Sequence, residues 1–220
     1  MSHYFTNDNI KSEEHKIEVS FKNNTYEFIV DNGVFSKTKL DFATRTLLES
    51  LDFNKIKGRV LDFGCGWGPI GIITKKNTNA IVDMVDINLR SINLSKKNAI
   101  VNDVDVNVFE SNIYSNINEK YDFIITNPPI RVGKKILYEI LFNAYNYLLD
   151  NGELWLVISK NQGAKSLYKD LQEKYNVNIV CKNKEFYVFR CLKHWQLINA
   201  IVKLYIGGMY FASTFENKKN

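Results

Sequence analysis

The string Asn127-Pro-Pro-Ile130, which follows the apolar run 121–126, has the residue types of a receptor for N–H groups. Two consecutive prolines fix the backbone and remove two amide donors, leaving carbonyl oxygens and the Asn127 side-chain oxygen as acceptors. An exocyclic purine amine is a poor nucleophile because its lone pair is delocalised into the ring. If the Asn127 oxygen and the Pro128 carbonyl each accept one N–H, the nitrogen is drawn toward tetrahedral geometry with its lone pair directed at an electrophile. Positioning and carbonyl dipoles then supply the stabilisation, and no strong general base is required. Asn127, Pro128, Pro129 and Ile130 are the candidate catalytic residues.

A second string, Leu61-Asp-Phe-Gly-Cys-Gly-Trp-Gly-Pro-Ile-Gly71, lies between an expected strand and an expected helix. Gly64 and Gly66 allow a tight turn and close approach of a ligand, and Pro69 suits the first turn of the following helix. Asp86 closes the next expected strand, at the spacing where a carboxylate accepts hydrogen bonds from ribose hydroxyls. A dinucleotide and S-adenosyl-L-methionine both use this arrangement. Asp62, just ahead of the first glycine, repels a pyrophosphate and attracts the cationic amino group of a methionyl moiety, which favours S-adenosyl-L-methionine. The third expected strand ends at 110–113, where Asn112 can donate to and accept from an adenine edge. The candidate cofactor residues are Asp62, Gly64, Cys65, Gly66, Asp86, Ile87, Asn112, Ile113 and Asn127.

These motifs need elements to position them. From residue 59 onward, short apolar runs alternate with helical patterns, the signature of a parallel sheet covered on both faces. Expected strands are 59–63, 80–85, 106–110, 121–126, 153–159, 177–181 and 186–192. Expected helices are 69–76, 89–101, 134–149 and 162–175. Ahead of them, 16–20 and 26–30 read as a hairpin turning at 22–24, and Leu40, Ala43, Leu47, Leu48 and Leu51 share one helical face. The expected organisation is one methyltransferase domain over 1–193, with hairpin and covering helix at 17–57, the cofactor-binding core at 58–193, and an extension of unassigned role at 194–220.

The chain has 220 residues, 45% of them hydrophobic, enough for one full-sized core. Twenty-nine Lys and Arg against 24 Asp and Glu leave an excess of +5, which favours a polyanionic partner. Three cysteines and three histidines show no metal-ligand spacing, so neither a disulfide nor a metal is expected. The polar start, 1–16, lacks the apolar core of a secretory signal, which places the chain in the cytoplasm. Segment 197–215 approaches the length of a membrane span, but Lys203, Gly207 and Gly208 and a polar tail favour a packed or partner-facing extension, with no membrane association.

Taken together, the chain resembles the RsmC-like methyltransferases, which modify guanine N2 in small-subunit ribosomal RNA. The resemblance covers 18–193. It rests on Gly33-Val-Phe-Ser36 with Asp41 following, the glycine string, Asp86-Ile-Asn88, Asn127-Pro-Pro-Ile-Arg131 with Gly133-Lys-Lys135, and Lys160-Asn-Gln-Gly-Ala164. It implies an α/β class I methyltransferase fold, Rossmann-like and doubly wound, with seven strands and the last antiparallel. It also implies guanine N2 of ribosomal RNA or the small ribosomal subunit as target. Ile130, in place of the aromatic of adenine- and glutamine-directed relatives, implies an apolar wall. Asn112 stands where the family has Asp, and Ala43 replaces a Gly. The longer members carry a second, RNA-binding half for which 220 residues leave no room.

Arg131, Lys134, Lys135 and Lys160 lie next to these motifs and are the candidate RNA-binding cations, Lys134 and Lys135 being placed in a helical first turn where the dipole disfavours them unless a phosphate is near. Phe35 is a candidate to stack on or shield a flipped base. Adenine N6, a glutamine side chain, and an idle RNA-binding scaffold of the same fold remain alternatives. Ile130 counts against the first two, and the presence of Asp62, Asp86 and Asn127 against the third. In a dehydrogenase, Asn-Pro-Pro-Ile has no role.

Overall fold

The computed structural model describes residues 11–36, 38–129 and 132–193. Strands β1 (His15–Phe21) and β2 (Asn24–Val30) form an antiparallel hairpin in register from His15 opposite Val30 to Phe21 opposite Asn24. The connection is tighter than the expected 22–24 turn: only Lys22 and Asn23 lie between the strands, with Lys22 at φ 53°. Alternation buries Val19, Phe21, Tyr26, Phe28 and Val30 on one face. Helix α1 (Phe42–Ser50) follows, capped by the Asp41 carboxylate, which accepts from Thr44 N at 3.0 Å. Its buried Leu47 and Leu48 face the sheet.

The sheet contains β3 (Arg59–Phe63), β4 (Ile81–Asp86), β5 (Asn107–Glu110), β6 (Tyr121–Thr126), β7 (Leu148–Ser159), β8 (Tyr175–Lys182) and β9 (Phe186–Lys193). Their spatial order is β5-β4-β3-β6-β7-β9-β8, and only β9 runs against its neighbours. Helices α2 (Pro69–Lys76) and α3 (Leu89–Val101) pack on the face that also carries α1 and the hairpin. Helices α4 (Lys134–Tyr147) and α5 (Ala164–Leu171) cover the other face. Successive residues of β7 serve both layers: Trp155 and Val157 enter the first core, Leu154, Leu156 and Ile158 the second. Each fully buried side chain of this size contributes about 1.5–3 kcal/mol.

Two expected boundaries shift for identifiable reasons. Strand β7 begins five residues early because Leu148 already pairs with Tyr121; there α4 stops at Tyr147. Gly152 lets the strand pass, since a Cβ on it would stand 2.9–3.2 Å from three backbone carbonyl oxygens. Helix α5 is shorter than 162–175. Gly163, at φ 80°, starts it, and Tyr175 is withdrawn into β8, where its buried hydroxyl donates to Leu141 O at 2.9 Å.

The hairpin is fastened to the core by the buried Asn98 of α3. Its Oδ1 accepts from Ile29 N at 2.6 Å, and its Nδ2 donates to Ile29 O at 2.9 Å and to Trp67 O at 2.7 Å. Trp67 packs edge-on against Phe28 at 4.8 Å. No helix among the described residues is long and apolar enough to cross a membrane, and segment 197–215 lies outside them. Among the described residues, no three His, Cys, Asp or Glu side chains gather as metal ligands.

Candidate active site

The order of strand addition reverses between the parallel β3 and β6, so a crevice opens beyond their carboxyl ends, the position where open α/β sheets bind ligands. Gly64 and Gly66 stand there at φ 73° and 58°, a region that favours glycine. A Cβ on either would meet no atom within 4 Å, so it would project into open cleft space. The loop is held from behind. Gly64 N and Cys65 N both donate to Val85 O at 2.9 Å, Gly66 N donates to Asp86 Oδ2 at 2.9 Å, and Ser95 Oγ donates to Gly66 O at 2.9 Å. The buried Cys65 thiol lies 3.5 Å from Ser95 Oγ, turned away from the cleft, and burial pushes its pKa up.

Asp86 ends β4 with both oxygens engaged by backbone: Oδ1 accepts from Asn88 N and Oδ2 from Gly66 N, each at 2.9 Å. Beyond the backbone N–H groups of Gly66, Asn88 and Ile87, the carboxylate retains acceptor capacity for a hydroxyl donor. Burial raises its pKa against these N–H donors. The next side chain, Ile87, is 36% exposed and offers an apolar surface beside the carboxylate.

Asp62 is fully buried. Its Oδ2 accepts from Gly71 N at 2.8 Å, tying β3 to the first turns of α2, while Oδ1 has no hydrogen-bond partner. Burial pushes its carboxyl up to about 7; the Gly71 N–H works against this and the Asp86 charge adds to it. A buried acceptor left unmatched costs about 1–3 kcal/mol. A carboxylate with an unmatched acceptor oxygen beside a glycine-lined cleft fits a ligand with a cationic N–H donor, as expected for a methionyl ammonium.

At the end of β5, Ser111 N donates to Asp86 O at 3.0 Å, and Ser111 Oγ donates to Ile113 O at 3.0 Å. Ile113 is held at φ 53°, an unusual conformation for a β-branched residue and one that costs about 1–3 kcal/mol. Asn112 is exposed in this turn, its backbone bonded to Ser115. Both residues border a groove of about 650 Å³ that continues to Asn143 and Tyr147 of α4.

The Asn-Pro-Pro loop leaves β6, the neighbour of β3, where Ile125 pairs with Asp62. Thr126 Oγ1 donates to Phe63 O at 2.8 Å, so the strand ends carrying the two motifs are fastened together. Asn127 is half-buried, and its Nδ2 donates to Thr44 Oγ1 at 3.0 Å and to Asp41 Oδ1 at 3.4 Å. Pro128 is buried and Pro129 half-buried; Ile130 and Arg131 lie outside the described residues.

Phe35 is 54% exposed, and its carbonyl accepts from Trp67 Nε1 at 3.0 Å, which pins the 33–36 segment beside the glycine loop. Lys134 and Lys135 are exposed at the start of α4, as expected for a first turn. Lys134 Nζ rests 4.8 Å from the Tyr138 ring centre and Lys160 Nζ 5.4 Å from that of Tyr187. The structure thus brings Asp62, Gly64, Gly66, Asp86 and Asn127 to adjoining strand ends. Spacing within the sequence did not single out Thr44, Ser95 or Thr126, whose hydroxyls bind partners distant in the chain.

The sequence matches the model of the family described as methyltransferase small domain over residues 25–190. It is 36% identical over 197 residues to the uncharacterized protein YbxB of Bacillus subtilis (strain 168), covering 87% of this chain and 98% of that protein. It is 42% identical over 130 residues to ribosomal RNA small subunit methyltransferase C of Haemophilus influenzae (strain 86-028NP), covering 57% of this chain and 39% of that one. Among solved structures, the T. thermophilus 16S rRNA N2 G1207 methyltransferase (RsmC), in complex with AdoMet and guanosine, superposes with a TM-score of 0.74 at 25% identity. That match covers 82% of this chain and 51% of the other. The chain therefore spans about two fifths of the H. influenzae relative and half of the T. thermophilus one. With the family model running from the hairpin to β9 and a glycine-lined cleft at the switch point of its sheet, this chain belongs to the methyltransferase small domain family.

Proposed function

We propose that the protein is an S-adenosyl-L-methionine-dependent methyltransferase that methylates an exocyclic base amine in RNA, with guanine N2 of small-subunit ribosomal RNA as the target. The observation that carries the reading is the Thr126–Phe63 hydrogen bond. It holds the Asn127-Pro128 loop against the strand that supplies the glycine cleft, so an acceptor loop and a glycine-lined cleft share one mouth. The T. thermophilus neighbour, named as an N2 methyltransferase and solved with AdoMet and guanosine, supports the cofactor and the base.

When bound, the cofactor supplies an electrophilic methyl on a sulfonium. The chain's residues do the rest. Asp86 would accept from ribose hydroxyls with its remaining acceptor capacity, Ile87 and Ile113 would border the adenine, and Asp62 would attract the ammonium. The Asn127 side-chain oxygen and the Pro128 carbonyl accept the two N–H bonds of the amine, which localises its lone pair and directs it along the transfer line. Once alkylated, the nitrogen is acidic and releases its proton readily, so no histidine is needed. Lys134, Lys135 and Lys160 supply a basic rim for RNA phosphates, Arg131 is a further candidate cation by its place in the sequence, and Phe35 shields the base.

The test is transfer of labelled methyl to total RNA, small ribosomal subunits and protein, followed by nucleoside analysis. Label in N2-methylguanosine is the expected result. Label in N6-methyladenosine or in protein replaces the substrate, and absence of both transfer and cofactor binding leaves an idle scaffold.

A further inference from the structure

An asparagine amide has two nearly isosteric ends, and the proposed chemistry tolerates only one of them at the substrate. An NH2 group facing an amine N–H sets donor against donor; only the oxygen can accept. The orientation of Asn127 therefore has to be decided by whatever binds its other end. Two groups from the start of α1 do so. Thr44 Oγ1 lies 3.0 Å and Asp41 Oδ1 3.4 Å from Asn127 Nδ2.

The Asp41 carboxylate carries only acceptor oxygens, so it cannot pair with the oxygen end of the amide. Reversing Asn127 would forfeit the Asp41 bond and set two oxygens against each other, while the Thr44 hydroxyl, able to donate or accept, holds whichever end the carboxylate selects. Asp41 is itself immobilised, because the same Oδ1 accepts from Thr44 N at 3.0 Å in capping the helix. Helix α1 in turn is seated by Leu47 and Leu48, which have no exposed surface. The cap of a helix outside the cofactor-binding unit thus reaches the side chain assigned to receive the substrate.

We propose that Asp41 and Thr44 are positioning residues that commit the Asn127 amide nitrogen and so turn its oxygen toward the incoming amine. The cap and the catalytic contact are one cluster. This inference rests on the assignment of Asn127 as the amine acceptor, and the experiment separates the two claims.

The variants are Thr44→Val, which keeps the side-chain shape and removes the acceptor, Thr44→Ser, which restores it, and Asp41→Ser, which keeps a capping oxygen and withdraws the carboxylate. The first readout needs no substrate: hydrogen exchange of the Asn127 side-chain NH2, assigned by its disappearance in Asn127→Ala. Protection in the parent protein and in Thr44→Ser, with at least tenfold faster exchange in Thr44→Val and Asp41→Ser, is expected. The second is single-turnover methyl transfer to RNA, alongside cofactor and RNA dissociation constants and Tm. Transfer should fall about tenfold in Thr44→Val and Asp41→Ser with both dissociation constants unchanged, and recover in Thr44→Ser, since small misplacements of a reacting group are costly. Equal exchange in all variants, or undiminished transfer in folded Thr44→Val, overturns the proposal. Protected exchange in a parent protein that methylates no base amine would leave the orientation standing and remove the substrate assignment.

Discussion

The cofactor wall of the cleft, from Asp62 to Asp86, is built within one strand-helix-strand unit and braced by its own backbone, whereas Asn127 on the opposite wall is held by residues 83 and 86 positions earlier. The first wall uses nearby backbone N–H groups as its supports: those of Gly66 and Asn88 in the loops on Asp86, and that of Gly71 in the first turn of α2 on Asp62. Such contacts form wherever the loop forms. The second uses side chains from α1, which reach Asn127 only after α1 has packed across β7 and β9. Binding the cofactor and aligning the substrate should therefore respond to different mutations.

Asn127→Ala is the strongest test of that division. It should lower single-turnover transfer by roughly 100- to 1000-fold, the usual cost of losing a group aimed at developing charge, and leave the cofactor dissociation constant within about twofold. Calorimetry and rapid-quench assays measure the two separately. Asp86→Ala should do the reverse. Loss of charge-assisted hydrogen bonds worth about 1.5–3 kcal/mol weakens cofactor binding roughly 10- to 100-fold, with transfer at saturating cofactor little changed. Comparable losses of both properties in both variants would erase the distinction between the walls.

A subtler test concerns pH. Because burial holds the Asp62 carboxyl at about 7 against 3.8 unperturbed, the native chain keeps a proton between those values that the unfolded chain has released. The Asp62 contribution to the stability of the cofactor-free protein should therefore fall as pH rises from about 4 to about 7 and level off above, and Asp62→Asn should reduce the slope in thermal scans, leaving the part due to Asp86, whose carboxyl pKa is also raised by burial. An ammonium bound beside Asp62 favours the ionised form. Cofactor affinity should then rise with pH, by at most about tenfold per unit, and flatten above about 7. A pH-independent dissociation constant would mean that Asp62 faces no cation. The smallest effect is expected on the rim. Lys135→Ala should raise the KM for RNA a few-fold at low salt, and the difference should shrink as salt increases, because exposed cations act through phosphate neutralisation.

Much of the cofactor wall was legible because its motifs are local. Gly64, Gly66, Pro69 and Asp86 are diagnostic through backbone geometry and short spacing, and β3, β6, α2 and α3 have the bounds their hydrophobic patterns imply. The ends of α4 and α5 were not legible, since Leu148 and Tyr175 are as suited to a helix as to a strand until Tyr121 and Leu141 claim them. Cys65 illustrates the same limit: sequence puts it in the cofactor loop, and only packing against Ser95 turns its thiol inward.

What the sequence by itself determined was the α/β class, the strand ends at which the glycine and Asn-Pro-Pro motifs stand, and the scarcity of amide donors in Asn-Pro-Pro, because these follow from periodicity and from the donors that proline lacks. What only the tertiary structure decided was that Asp41 and Thr44 bind the amide nitrogen of Asn127, how β3 and β6 are fastened through Thr126, and which oxygen of Asp62 is left without a hydrogen-bond partner. Each depends on a hydrogen bond between groups far apart in the chain, and the direction of a side chain has no signature in spacing alone.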